Sequence, residues 1–254
     1  MAIDSKTLQQ LSQFDTPTIC NAIEMFGIRP RSAGYTDGRI RAALSGLAPM
    51  VGFASTARMR SGEAAAGEDG YASLERQLQH MQSLAGPAVV VYQDLDDPPV
   101  GATVGEVMCN LYQSFGAVGL VTSGAARDLE QIRQLNFPLY LGSTIASHAY
   151  CRTVDVGQVV QVGGLEILPG DLLHGDENGV TSIPFDLVDE LPDVAREYCA
   201  AERFVVEYAQ AEGDKNVAEM LARRRAMGEA LAALKRRVAR TGVRPAITAA
   251  AARS

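Results

Sequence analysis

A mixed α/β fold, parallel in one part and antiparallel in another, is predicted by three features of this 254-residue sequence. The first is a strand-helix-strand succession at its centre. Ala88-Val89-Val90-Val91-Tyr92 is a short β-branched run of the kind buried on both faces of a sheet. Val104, Val107, Met108, Leu111, Tyr112 and Phe115 then recur at helical spacing and stop at Gly116, and Ala117 to Thr122 makes a second strand. That order implies a right-handed crossover between parallel strands. The second feature is the alternation of residues 160–167 about Gly163-Gly164, a hairpin signal. The third is Asp186 to Arg240, mostly helical by composition and broken at Pro192 and near Gly213.

The other elements follow in chain order. Leu8, Leu11 and Phe14 predict a short helix, and Asp15-Thr16-Pro17 reads as a cap with proline at the first helical position. Ile19, Ile23 and Phe26 continue on one face to Gly27. Residues 28–48 carry no sustained period and read as a loop, Gly52 to Met59 as a strand, and Ser61 to Asp69 as an exposed connection. Ser123-Gly124 is a turn before an amphipathic helix marked by Leu129, Ile132 and Leu135, and residues 139–141 form a further strand. Pro169-Gly170-Asp171 and Asp176-Glu177-Asn178-Gly179 are turns, Val180 to Ile183 closes the sheet, and Thr241 to Ser254 reads as a frayed tail.

Composition bounds the partners. A hydrophobic content of 47% is enough for a sizeable core. The start lacks a basic segment followed by an apolar one, and no 18-residue uncharged apolar run occurs, so a cytoplasmic protein is expected. Cys20, Cys109, Cys151 and Cys199 form no CxxC pair and read as reduced thiols rather than a zinc or redox site. The net charge of −7 is uneven: residues 223–254 hold nine bases and one acid, leaving 14 bases and 29 acids before them. The acidic body repels nucleic acid, and the basic stretch reads as the solvated face of a helix rich in Ala and Leu.

Parallel sheets gather ligands at the carboxyl ends of their strands. One such loop enters the helix near Gly101 to Met108, whose first amides are free to meet an anion. A second leaves the 117–122 strand and carries Arg127-Asp128. Parallel neighbours bring Glu106, Arg127 and Asp128 to one edge. Amides of Glu106, Val107 and Met108 can hold a carboxylate, Arg127 can grip a carboxylate or keto oxygen, and Asp128 can ligate a hard cation. On spacing alone, the same pair also fits a helix cap with a surface ion pair.

Three ordered motifs carry a resemblance: Gly119-Leu120-Val121-Thr122-Ser123-Gly124-Ala125-Ala126-Arg127-Asp128, the separation of Glu106 from Arg127-Asp128, and Pro169 to Val180. Asp15-Thr16-Pro17-Thr18 resembles the helix entry that precedes them. Over residues 10–190 the chain resembles the RraA-like family, which includes 4-hydroxy-4-methyl-2-oxoglutarate aldolases. The resemblance implies a swivelling β/β/α domain like phosphohistidine domains, in trimers or hexamers. With the helical and tail readings above, it divides the chain into a catalytic domain at 1–190, a helical extension at 191–240 and a flexible tail at 241–254. It also implies class II pyruvate aldolase chemistry with oxaloacetate decarboxylation on the side.

Carried over residue by residue, the resemblance has Asp128 bind Mg2+ or Mn2+ largely through water, and Arg127 contact the pyruvyl group and steady its enolate. Glu106 helps place metal-bound water for proton transfer, while the Gly105, Glu106, Val107 and Met108 stretch holds the substrate, the amides of Val107 and Met108 gripping its carboxylate. A neighbouring subunit contributes an acid, for which Glu202 and Glu207 are candidates. The sequence departs from the family in Ser123 and Asn21, where Asp is frequent, and in continuing well past the core. A non-catalytic modulator of an RNA-degrading endonuclease is the rival, and a lyase of the same mechanism on a sugar-acid or aromatic-ring product is another. A methyltransferase is unsupported, because no glycine-rich strand-to-helix loop suits S-adenosylmethionine.

Three further groups have bland readings beside functional ones. His148 reads as a surface or structural histidine rather than an acid or base. His174 and Asp176 read as parts of a structural turn rather than a metal pair. Asp94, Asp96 and Asp97 read as a solvated loop, lacking the Gly and terminal Glu of a calcium loop.

Overall fold

A computed structural model describes residues 3–63 and 73–240. The expected connection at Ser61 to Asp69 lies largely outside the described residues, and the expected tail at Thr241 to Ser254 entirely so. The chain forms two compact units, one of Met1–Thr16 with Gly34–Val188 and one of Pro17–Ala33 with Asp189–Ser254.

The first unit is built on a sheet whose centre is parallel. Strands β2 (Met50–Arg60), β3 (Ala88–Asp94), β5 (Ala117–Thr122) and β7 (Leu139–Leu141) pair in parallel, in the spatial order β7-β5-β3-β2. Antiparallel strands complete it: β1 (Arg41–Ala42) on β7, and β12 (Leu172–Asp176) on β2, followed by β13 (Gly179–Ile183). Strand β9 (Arg152–Val156) also pairs with β2, opposite its far end. The predicted parallel crossover is present, running from β3 through α4 (Glu106–Ser114) to β5.

Side chains alternate across this sheet. Val90 and Tyr92 enter a layer with Leu120, Leu139, Tyr112 and Ile132, on the side of helices α4 and α5 (Leu129–Gln134). Val89 and Val91 enter the opposite layer with Val121, Leu173, Val160 and Ile167. Val89, Val90 and Val91 are fully buried, each contributing about 1.5–3 kcal/mol of transfer free energy. The second layer is closed by the predicted hairpin, β10 (Val160–Val162) and β11 (Leu165–Ile167), whose Gly163 and Gly164 both have positive φ. Hairpin, sheet and helices make the β/β/α order of the expected fold.

Helix α3 (Leu74–Gln82) was not foreseen from sequence; its apolar residues are few, and only Gln77 and Met81 are buried. Val104 is not the first residue of the central helix. It ends β4 (Ala102–Val104), and Gly105, in extended backbone, is the N-cap of α4. The helical period runs through this boundary because both strand and helix bury Val104's side of the chain. Strand β4 pairs in parallel with β6 (Ala125–Ala126), which pairs with β8 (Ser143–Thr144), a small sheet with no sequence signature of its own.

The second unit holds most of α2 (Thr16–Phe26) with α6 (Leu191–Gln210) and α7 (Val217–Val238). Gly27 follows α2 with positive φ, as expected of its stop. Pro192 does not break a helix. It sits in the first turn of α6, where the missing N–H costs nothing. The break at Gly213 is present, and Asn216 caps α7 by accepting from the amides of Ala218 and Glu219. Among the described residues no helix is long and apolar enough to cross a membrane.

Candidate active site at the β4, α4 and α5 junction

The small sheet brings the two predicted loops together. Arg127 N–H donates to the carbonyl of Val104 at 3.0 Å, continuing the β4–β6 ladder by one residue. Gly105 and Arg127 therefore leave the sheet side by side. Asp128 then adopts φ 58 and ψ 36, the left-handed region that side chains rarely occupy. It stands at the N-cap of α5 but does not cap that helix with its side chain. Its Oδ2 instead accepts the Glu106 amide of α4 at 3.1 Å and lies 3.6 Å from Arg127 Nε. The strained backbone turns the carboxylate from its own helix to the neighbouring one. Holding a non-glycine residue there costs of order 1–3 kcal/mol, a pattern concentrated at functional sites.

Gly105 makes this approach possible. A Cβ there would lie 2.5 Å from Asp128 Oδ2 and 3.2 Å from Arg127 Cγ and Nε. The Arg127 and Asp128 side chains are each 37% exposed, so the pair faces solvent while following the buried Ala125 and Ala126. Among the described residues Arg127 makes its ion pair through Nε, which leaves its terminal nitrogens to a ligand. The Glu106 amide is taken by Asp128, whereas the amides of Val107 and Met108 lie in the first turn, where helix geometry supplies no carbonyl. The Glu106 side chain is exposed at this opening.

The thiols around the site are held protonated. Burial, aided by the charge of Asp128, pushes Cys109 on α4 up to about 12. Cys151 is pushed up to about 11 by burial and Asp94, with Arg127 opposing. Neither is poised as a thiolate nucleophile.

The residues with bland readings sort clearly. His148 is exposed, with Nδ1 2.8 Å from the carbonyl of Ala149. His174 and Asp176 lie in strand β12 rather than in a turn, Asp176 at its last position. His174 is fully buried, its Nδ1 3.0 Å from Thr16 Oγ1 and its Nε2 3.2 Å from the Leu11 carbonyl. Asp176 accepts the Thr16 and Asn178 amides at 2.8 Å. Together they fasten the end of α1 (Ser5–Leu11) and the Thr16 turn to the sheet. The solvated-loop reading fails for Asp94, which ends β3 only 8% exposed because the chain turns inward over Gly124. Asp96 is also engaged, accepting the Ser61 and Gly62 amides and facing Arg60, and of the three only Asp97 is exposed. Glu202 and Glu207 lie on α6, in the second unit.

The profile of the RraA-like family, described as Aldolase/RraA, matches residues 16–181 and so spans every element of this junction. The chain belongs to the RraA-like family. A Halalkalibacterium halodurans protein provisionally named 4-hydroxy-4-methyl-2-oxoglutarate aldolase is 32% identical over 136 residues, 53% of this chain and 60% of that protein. Protein DlpA of Legionella pneumophila is 29% identical over 89 residues, 34% of this chain and 14% of that protein. The chain thus matches less than two thirds of the length of these relatives.

Solved structures share the RraA-like fold at low identity. RraAS2 of Streptomyces coelicolor, an unusual member of the RNase ES inhibitor RraA family, superposes with a TM-score of 0.64 at 23% identity, covering 80% of this chain and 97% of that one. An uncharacterized Pseudomonas syringae protein gives a TM-score of 0.68 at 22% identity, covering 89% and 95%. The family includes aldolases and RraA proteins, so membership alone leaves the activity open.

Proposed function

We propose that this RraA-like protein is a divalent-metal-dependent lyase that cleaves a 4-hydroxy-2-oxo acid, such as 4-hydroxy-4-methyl-2-oxoglutarate, and releases pyruvate. The observation that carries this reading is the strained Asp128, whose carboxylate is turned beside Arg127 at the open start of α4. A binding surface has no evident need for that strain. The aldolase name of the 32% identical relative supports the same reading.

Among the described residues no group of three or more His, Cys, Asp or Glu could hold a metal ion. Asp128 alone, with Oδ1 unengaged by the contacts above, fits an ion held by one carboxylate and its own waters, as Mg2+ or Mn2+ is. When bound there, the ion would supply Lewis acidity toward the keto oxygen of the substrate. Arg127's terminal nitrogens grip the 2-oxo acid and offset the negative charge that grows on its keto oxygen. The amides of Val107 and Met108 donate to the substrate carboxylate. The 4-hydroxyl loses its proton to water at the Glu106 carboxylate, C4 becomes the carbonyl carbon of the second product as the C3–C4 bond breaks, and the electrons of that bond form the pyruvate enolate. Protonation of the enolate at C3 gives pyruvate. Oxaloacetate, whose C3–C4 cleavage releases carbon dioxide and the same enolate, would be decarboxylated as a side reaction.

The test is pyruvate release, coupled to lactate dehydrogenase, from 4-hydroxy-4-methyl-2-oxoglutarate and from oxaloacetate, with and without Mg2+ or Mn2+. Metal-dependent turnover lost in Arg127→Ala and Asp128→Ala is the expected result. Folded, metal-loaded protein inert toward both compounds would favour the non-catalytic modulator.

A further inference from the structure

Asp94 is a buried acid outside the residues assigned above. It ends β3 and is 8% exposed. Its Oδ1 accepts the Asp96 amide at 3.0 Å, while Oδ2 is buried without a hydrogen-bond partner. A carboxyl in such a place is less costly to bury neutral than ionised, since an unpaired charge loses far more hydration than an unpaired hydroxyl.

What Asp94 touches is the turn that leads to the site. A Cβ on Gly124 would lie 2.7 Å from Asp94 Oδ2 and 2.9 Å from its Cβ, so the turn rests directly on this side chain. Ser123 Oγ accepts the Asp94 amide at 2.9 Å, and Ser123 N–H donates to the Tyr92 carbonyl at 3.0 Å. On the other side, a Cβ on Gly142 would lie 2.4 Å from the Ser123 carbonyl oxygen, and Gly142 N–H donates to the Gly124 carbonyl. The turn is clamped between Asp94 and Gly142. Ala125 and Ala126 follow as β6, and Arg127 and Asp128 come next.

We propose that Asp94 is a positioning residue that holds the Ser123-Gly124 turn, and through it Arg127 and Asp128. Its surroundings also disfavour the charged form of the carboxyl. Burial raises its pKa above the usual aspartate value, the Asp96 amide opposes this, the charge of Asp96 adds to it, and Arg60 on β2 opposes it. The proposal deepens the lyase reading but makes a stability claim that does not depend on it.

The sign follows from linkage. As pH rises past the ordinary aspartate range, the unfolded chain releases this proton before the folded one does, so the parent protein loses stability until the raised value is passed. Asp94→Asn keeps the shape without the proton. Its thermal midpoint is expected to exceed the parent's at pH 8, with the advantage shrinking toward pH 4. An Asp94→Asn midpoint below the parent's at pH 8 would overturn the inference that burial disfavours the charged form of Asp94.

Hydrogen exchange by mass spectrometry tests positioning. Asp94→Ala is expected to speed amide exchange in residues 123–128 at least tenfold, and Asp94→Asn to leave it near the parent's rate. Equal exchange in all three proteins would overturn the positioning role. In the pyruvate assay Asp94→Asn should keep kcat/KM within about threefold, with Asp94→Ala losing mainly kcat. If the parent shows no turnover the lyase reading fails, and the midpoints and exchange rates still decide the role of Asp94.

Discussion

Replacing Gly105 by alanine should disable the site while leaving the fold almost intact. Gly105 has φ −148 and ψ −168, ordinary extended backbone, so glycine is not needed there for its conformation. It is needed for space. The added Cβ would meet Asp128 Oδ2 at 2.5 Å, and reaching an ordinary contact of 3.4 Å requires the carboxylate to retreat by roughly 0.9 Å. That movement breaks the 3.1 Å bond to the Glu106 amide and carries Arg127, whose Nε and Cγ are 3.2 Å from the same point. A displacement near 1 Å at a catalytic group costs on the order of 100-fold in rate. The side chains are partly exposed and can swing outward, so the stability cost is about 1–2 kcal/mol, one charge-assisted cap hydrogen bond. Gly105→Ala should therefore lose on the order of 100-fold in kcat/KM for pyruvate release, with a thermal midpoint only a few degrees lower. Activity within threefold of the parent would refute the argument that Gly105 is there to admit Asp128.

Other outcomes follow from the same geometry. Arg127→Lys should lose nearly as much activity as Arg127→Ala, about 10-fold or more, because a point charge cannot reproduce the planar fork; steady-state kinetics with both variants checks this. His174→Ala should destabilise the fold by about 2–4 kcal/mol in urea unfolding, leaving a cavity and stranding Thr16 Oγ1 and the Leu11 carbonyl, while activity per folded molecule is unchanged. Burial holds His174 below the usual histidine range. It contributes no pH dependence above about 6.5, and stability falls as pH drops below that value because the unfolded chain takes up the proton first. A His174→Gln variant should show a smaller loss of midpoint than the parent between pH 7 and pH 5.

The sequence was most readable where one physical signal acted alone. Val89 to Val91 pointed to a strand buried on both faces, the Gly163-Gly164 pair to a tight hairpin, and Gly116 and Gly213 to ends of helices; all are found. The signal failed where two structures share a period. Val104 continues the helical spacing of α4 but belongs to β4, and Pro192 marks the start of α6 instead of a break. The strands of the β4–β6–β8 sheet are two or three residues long, too short for alternation to register.

Glu106, Arg127 and Asp128 were foreseen as neighbours because parallel strands deliver their loops to one edge. The left-handed backbone of Asp128 and the space left by Gly105 were not, since both depend on how close two helix starts come in three dimensions. Asp94 was misread for a related reason. Three acids in four residues look solvated, and only the contact with Gly124 shows one of them turned inward.

The central claim, that Arg127 and Asp128 form a metal-dependent enolate site, can be tested without knowing the natural substrate. Pyruvate incubated with the protein in deuterium oxide, followed by proton NMR, reports enolate formation as loss of the methyl signal. The account predicts exchange that requires Mg2+ or Mn2+ and falls to the background rate in Arg127→Ala and Asp128→Ala. Absence of exchange in folded, metal-supplied protein, or exchange that persists in both variants, would contradict it.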